Sequence, residues 1–363
     1  MEDELDVDHH EDMEPSSATY PWPSRCSPRL RFSEAQKAAI LSWGKDMGAA
    51  NVPTIGAVKR CQDKILKLVG DPTEKVVTHS GTTFYINDVG KAIAKDYANP
   101  ITRSAMCDYP VDGEGGMSQV WNGMKMLFDL PPDMGTPSVR VDKELYFLGE
   151  LLQLDSEEYF IPTRFFYARS QPESDAAFNL SRELYALGHS VARSDNGFVV
   201  AKEQVCTPIS SFYRNFEEIS QMPAEFECGF AACSSSFREA MPHRLRAKAQ
   251  GRTVYSVPLI IFMDDVSGNI SKQWNKHHVI YMSNANLPRE MLEKEFCIQF
   301  VSSSPHATPM ELMEAMRTSI CKAADSGIVA WDCVNHEEVL LDPYGLFFGG
   351  DNLMHAEECS HAG

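Results

Sequence analysis

Seven apolar residues in succession, Val257-Pro258-Leu259-Ile260-Ile261-Phe262-Met263, run directly into two carboxylates, Asp264 and Asp265. A continuous apolar run of this length lacks the alternation of a strand with one wet face. It fits a strand buried on both faces of a sheet. Two carboxylates at its end have no packing reason to be there, since an unpaired charge beside a buried strand costs several kcal/mol. The alternative is a turn, because Asp-Asp-Val-Ser-Gly-Asn is also rich in turn formers. The residues that follow bear on the choice.

His278-Val279-Ile280-Tyr281-Met282 and Phe296-Cys297-Ile298-Gln299-Phe300-Val301 each have strand length and a high content of β-formers. Thr308-Pro309-Met310-Glu311 then predicts a helix start: Thr308 is the N-cap, Pro309 suits the first helical position and Glu311 completes a capping box. Leu312, Met313, Met316 and Ile320 give that helix an apolar face, and Gly327 ends it. A hairpin over Ile328 to Leu341 leads to Tyr344-Gly345-Leu346-Phe347-Phe348, which ends in Gly349-Gly350-Asp351. The order is strand-Asp, strand, strand, helix, strand-Asp. It is the order of the ribonuclease H-like fold, in which the first and fourth strands lie side by side. Two carboxylates brought together in this way repel, and a divalent cation between them converts the repulsion into a binding site. Two such ions activate an attacking oxygen and stabilise the leaving oxygen of a phosphodiester. The glycines at 349 and 350 would let a substrate backbone approach closely.

Three blocks carry a resemblance. They are Phe262-Met-Asp-Asp-Val-Ser-Gly-Asn-Ile-Ser-Lys-Gln-Trp-Asn-Lys-His-His278, Phe300-Val-Ser-Ser-Ser-Pro-His-Ala-Thr-Pro-Met-Glu-Leu-Met313 and the closing stretch from Gly350 to Gly363. The chain resembles fungal transposon-derived proteins, the Plavaka-like DDE-type transposases, over most of its length beyond the first 31 residues. The resemblance implies a ribonuclease H-like catalytic core that uses Mg²⁺ or Mn²⁺ on DNA, with transposon ends as the partner and the nucleus as the location. It makes Asp264 or Asp265 the first metal ligand and Asp351 the second. Asp265 is preferred, because Asp265-Val266-Ser267 matches the Asp-x-Ser/Thr of the family. It also implies a third acid and a Cys-rich segment further downstream than Gly363, so the expectation is a core cut short. Glu357 or Glu358 would be a poor substitute so soon after the strand. The alternative function is a non-catalytic DNA- or protein-binding remnant of such an element.

Charge bears on the DNA expectation. The chain has 33 Lys and Arg against 51 Asp and Glu, a net −18. Eight of those acids lie in residues 1–30 with only Arg25 and Arg29 to oppose them, in a Pro- and Ser-rich stretch without apolar period. That composition predicts a disordered tail. Residues 31–70 are net basic and predict two helices: Ser33 with Gln36 has the form of a capping box, and Lys59, Arg60, Lys64 and Lys67 interleave with the apolar positions of the second. A helix-turn-helix reader of DNA and a small hairpin with a solvated Lys face both fit. A second basic stretch, Arg244, Arg246, Lys248, Arg252, Lys272 and Lys276, reads either as a phosphate-backbone track or as a solvated linker.

The expected organisation is an acidic tail (1–30), a helical and mixed region (31–135), a β-rich small-barrel module (136–212), a linker (213–252) and a partial ribonuclease H-like core (253–363). The fold class is α/β at the core and α+β overall. Ten scattered Cys without a CxxC pair read as reduced thiols. No apolar window approaches a membrane span and no secretory leader is present, so an intracellular soluble protein is expected. His355-Ala356-Glu357 lacks the Pro-Cys-x-x-Cys of zinc deaminases. His355, Cys359 and His361 are of zinc-ligating type. The adjacent His277 and His278 would face opposite sides of a strand, which argues against joint metal binding. The absence of Gly-x-Ser-x-Gly and His-Glu-x-x-His argues against the common hydrolases and metalloproteases.

Overall fold

The computed structural model describes residues 33–112, 119–122, 125–168, 183–267 and 276–350. The chain divides into two compact units, 1–71 and 72–363. In the first unit, α1 (Glu34–Asp46) starts at the predicted capping box. The Ser33 hydroxyl accepts from the Gln36 amide at 3.2 Å, and the Gln36 side chain accepts from the Ser33 amide at 2.8 Å. The exchange satisfies two of the amides that a helix start leaves without partners. In α2 (Ile55–Val69), Lys59, Arg60, Lys64 and Lys67 are all exposed.

The second unit opens with a hairpin of β1 (Thr73–Val77) and β2 (Thr83–Asn87), followed by α3 (Val89–Ala98) and α4 (Pro100–Arg103). Next come β3 (Ser138–Val141), β4 (Glu144–Phe147), β5 (Leu152–Leu154), β6 (Tyr159–Tyr167), β7 (Leu184–Ser194), β8 (Gly197–Pro208) and β9 (Phe212–Arg214). Short helices α5 (Phe216–Ser220), α6 (Pro223–Phe226), α7 (Ser235–Glu239) and α8 (Arg246–Ala249) lead to the last stretch. That stretch comprises β10 (Thr253–Ser267), β11 (Lys276–Asn284), α9 (Arg289–Leu292), β12 (Gln299–Ser304), α10 (Pro309–Ser326), β13 (Ile328–Asp332) and β14 (Glu337–Gly349).

Strands from both ends of the unit share one seven-stranded mixed sheet, in the order β1-β2-β12-β11-β10-β14-β13. β10 has β11 antiparallel on one edge and β14 parallel on the other. The first, second and third strands (β10, β11, β12) are therefore neighbours, and β14, the second strand after α10, returns beside the first. This is the mixed-sheet order expected from the sequence. The predicted hairpin is present, but its second arm and the predicted terminal strand are one strand, β14. β13 pairs with β14 only as far as Leu341, so Pro343 sits where β14 has a single neighbour and a missing N–H is tolerated.

Burial along β10 departs from the expectation. Val257, Leu259, Ile261 and Met263 are buried on one face, and Ile261 shares a groove with Met313 and Met316 of α10. Among the described residues, the other face is covered near the start of the strand, where the Ser138 hydroxyl on β3 accepts from the Val254 amide. Towards its end Phe262, with Phe300 of β12 and Phe347 of β14 on the same face, is 41% exposed. An apolar run thus predicted two-sided cover over a stretch where the described residues supply one side.

The β-rich module is an antiparallel five-stranded sheet, β8-β7-β6-β5-β9, with β3 and β4 as a separate pair. β8 and β9 form its two edges, so it is an open sheet where a small barrel was expected. Gly188 lies at a shift in the β6–β7 register, where a Cβ would stand 2.2 Å from the Ile161 carbonyl oxygen. Only glycine fits so close an approach. The expected linker, 213–252, is a packed layer: Ile219, Phe230, Leu245 and Ala249 are buried against the module and β10. Its helices are too short to show an apolar period, so composition alone made it look loose.

One buried guanidinium joins the layers. Arg103 of α4 donates to Asp108 and to Asp332 of β13, both at 2.7 Å, and lies 4.7 Å from the ring centre of Tyr97 and 5.2 Å from that of Tyr255. Nearby, Asp96 on α3 is buried and accepts from the Gln299 amide at 3.2 Å. Burial pushes its carboxyl from 3.8 up to about 7, against the opposing pull of that hydrogen bond. The native state therefore holds this proton more tightly than the unfolded chain does. The resulting stability is complete below about pH 4 and is lost as pH rises through 7. Asp96→Asn keeps the acceptor and removes the charge. Urea unfolding of the variant is expected to lose this part of the decline between pH 4 and 7 and to give a higher midpoint than the parent at pH 8.

Candidate metal centre

β10 continues through both carboxylates to Ser267, which excludes the turn: Asp264 stands opposite Val279 and Asp265 opposite His278. Side chains alternate along a strand. Asp265 therefore continues the face of Leu259, Ile261 and Met263, the face that α10 covers, and Asp264 continues the open face of Phe262. The two acids do not converge. Asp264 is half-buried and its Oδ1 accepts from the Asp265 amide at 2.8 Å, whereas the Asp265 side chain is exposed just past the dry part of the strand.

On the other edge, the parallel ladder between β10 and β14 ends with Phe262 beside Gly349. A Cβ at Gly349 would meet the Phe262 ring at 3.3 Å, so this glycine lets the ring lie against the strand end. Asp351 lies outside the described residues, as do Lys272, His355, Glu357, Glu358, Cys359 and His361.

Across the sheet from Asp265, register places His278 and then Ser304 in one row on the face of α10. His278 Nδ1 is 3.1 Å from the Ala307 carbonyl oxygen, and the Ser304 hydroxyl accepts from the Ala307 amide at 3.0 Å. Ala307 directly precedes Thr308, whose capping box with Glu311 starts α10 as the sequence predicts. The row is thus fixed to the helix start by hydrogen bonds. Adjacency in sequence sets His278 aside together with His277. The signal that singles it out is the β10–β11 register, which the residues between the two strands do not encode in any recognisable motif.

Among the described residues no three His, Cys, Asp or Glu side chains form a ready metal cage. An exposed carboxylate at a strand end fits the other common arrangement, in which one or two carboxylates hold a hydrated Mg²⁺ or Mn²⁺ and waters complete the shell.

The part of the second basic stretch from Arg244 to Arg252 does not border this site. Arg252 precedes β10, twelve residues before Asp264, a separation of about 40 Å along an extended strand. Its members are also occupied. Arg246 is half-buried, pairs with Glu150 at 2.5 Å and Glu217 at 3.1 Å, and lies over the Phe147 ring. Arg252 pairs with Glu338, and Lys248 donates to the Ala324 carbonyl. Burial raises the Asp342 carboxyl, and the nearby charges of Arg244 and Lys248 oppose that rise. Lys276 opens β11 at the other end of the sheet, opposite Ser267. Within the expected phosphate track, Arg246 and Arg252 are held in ion pairs and Lys248 by a backbone carbonyl. In the first unit Lys59 pairs with Glu34 at 3.0 Å on the surface.

A separate cavity of about 520 Å³ lies beside the Arg103 cluster, lined by Tyr109, Tyr167, Tyr255, Arg140 and Glu337 among others. Among its charged groups, Arg103 pairs with Asp108 and Asp332, and Arg140 pairs with Glu337.

Residues 138–255 match a family described as a domain of unknown function, DUF8591. No curated protein and no solved structure matches the chain. The family match covers the β-rich module, the short helices and the first residues of β10, and it ends before Asp264 and Asp265.

The assignment of Arg246 to the interior is directly testable. Arg246→Gln leaves Glu150 buried without its charge partner and is expected to cost roughly 3–5 kcal/mol in urea unfolding. Any DNA affinity measured on the folded variant is expected to keep its salt dependence.

Proposed function

We propose that the chain is a transposase-like protein that hydrolyses and transfers DNA phosphodiesters with a divalent cation, Mg²⁺ or Mn²⁺, and acts in the nucleus on transposon ends. The observation that carries this reading is the parallel pairing of β10 with β14. It lines up the strand that bears Asp265 with the strand that leads into Asp351. A cation held there would polarise the phosphate and activate the attacking oxygen. The protein's own contribution is to hold Asp265 on a central strand, with α10 closing the same face.

Alternation along β10 gives the reading a sharp internal test. In a plasmid-nicking assay with Mg²⁺ or Mn²⁺, Asp265→Ala and Asp351→Ala are each expected to reduce nicking to the metal-free level. Asp264→Ala, on the opposite face, is expected to retain it. Nicking that survives both of the first two substitutions would overturn the assignment.

The exposed basic face of α2 favours a second reading, a DNA-binding remnant without chemistry. Replacement of Arg60, Lys64 and Lys67 by Gln is expected to flatten the dependence of log K on log salt by up to about 0.9 for each phosphate that the variant no longer neutralises. Salt-dependent binding through α2, with no cation bound at Asp265, would select the remnant.

A further inference from the structure

The row Asp265, His278, Ser304 contains a nitrogen donor as well as an oxygen donor. Directly opposed residues of an antiparallel pair have Cβ atoms about 4.5–5.5 Å apart and project to the same face. Asp265 and His278 are such a pair. The pairing of β10 with β11 is continuous from Leu259 to Ser267, so no bulge intervenes to turn either side chain away.

The tautomer of His278 follows from its partner. A carbonyl oxygen only accepts, so the 3.1 Å approach to Ala307 requires the hydrogen on Nδ1. In the neutral ring this leaves the lone pair on Nε2. A ring whose one nitrogen donates to a backbone carbonyl, with the other left as a base, has the arrangement by which proteins orient metal-ligating histidines. The anchor is itself fixed, because the Ala307 amide donates to Ser304 and Ala307 is buried at the start of α10. His277, on the opposite face of β11, has no place in this row.

We propose that His278 is a ligand of the cation held by Asp265, which makes this a mixed oxygen–nitrogen site selective for a first-row ion such as Mn²⁺ over Mg²⁺. The inference rests on the reading of Asp265 as a metal ligand and adds a residue to it. Imidazole suits first-row transition ions, whereas Mg²⁺ prefers an all-oxygen shell, so one nitrogen donor shifts the preference. It also supplies a donor from within the described strands, independent of any further acid.

The test is pulsed electron paramagnetic resonance of Mn²⁺ bound to the full chain, together with calorimetric titration of Mn²⁺ and of Mg²⁺. The expected result is a ¹⁴N coupling to Mn²⁺ in the parent and in His277→Ala, and its loss in His278→Ala. Mn²⁺ affinity is expected to fall tenfold or more in the latter, on the scale seen when a metal site loses a supporting group, with a smaller change for Mg²⁺. His278→Asn covers the case in which the alanine variant fails to fold: its amide still donates to Ala307, but the ring nitrogen is gone. A coupling that persists in His278→Asn, or Mn²⁺ binding that depends on Asp265 but shows no ¹⁴N coupling in the parent, would overturn the proposal and leave the carboxylate site standing. Mn²⁺ binding unaffected by Asp265→Ala would overturn both.

Discussion

The position of β10 between an antiparallel and a parallel neighbour is the constraint on which the rest of the second unit depends. An antiparallel partner can follow after a short connection. A parallel partner needs a crossover, and here α10 and the β13 edge strand supply it. The crossover brings β14 back beside β10, with the end of β14 at Gly349 beside Phe262. It also lays α10 over the face on which Asp265 projects. One topological requirement therefore sets the pairing of β10 with β14, the cover of one face and the anchor of His278.

Arg103 serves that arrangement from the other end of the sheet. It pairs with Asp332 at the end of β13, with Asp108 in the loop that leads to the β-rich module, and packs against Tyr255 near the start of β10. A buried ion cluster adds little net stability compared with apolar packing, but breaking it strands the remaining charges. Its effect is on geometry. The edge hairpin, the α3–α4 corner and β10 are held to one guanidinium with planar, directional bonds. This leaves the opposite end of β10, where the candidate site sits, with fewer constraints and more solvent. Rigid at one end and open at the other suits a strand that must present a carboxylate without burying it.

Much of this is legible in the residues. The capping boxes at Ser33 and Thr308 can be read directly because a cap is a local pattern of a few residues. The order of strands around α10 can be read because each has length, β-formers and a clear helix between them. What the residues hide is non-local. The fate of Arg246 depends on Glu150, far away in sequence, and no charge count distinguishes a phosphate track from an internal ion-pair layer. The residues read as a hairpin arm to Leu341 and a separate strand from Tyr344, whereas the ladder with β10 carries one strand through Asp342 and Pro343. His278 is discounted by a correct local rule about adjacent residues; only the cross-strand register shows that one of the two histidines has a carboxylate opposite. The open aromatic face around Phe262 is invisible for the same reason, since an apolar run does not say what covers it.

The distribution of charge favours a particular division of labour in any complex with DNA. With a net −18, attraction to phosphate must come from local features. Arg246, Arg252 and Lys248 are held by partners within the fold, and Arg252 lies roughly 40 Å from Asp265 along β10. The exposed Arg60, Lys64 and Lys67 belong to the first unit. At Asp265 itself a phosphate would meet a carboxylate, and like charges at that distance repel. A cation resolves the conflict by neutralising both. On the proposed reading, a metal at the end of β10 would be needed for a DNA substrate to approach at all, before any bond is broken. Loss of Asp265 and loss of the ion should then differ in their effect on binding: without the ion the carboxylate repels DNA, whereas Asp265→Ala removes the repulsion along with the ligand. A variant that binds DNA as well as the loaded parent, and better than the metal-free parent, while failing to cut it is the signature that separates this role of the cation from a purely catalytic one.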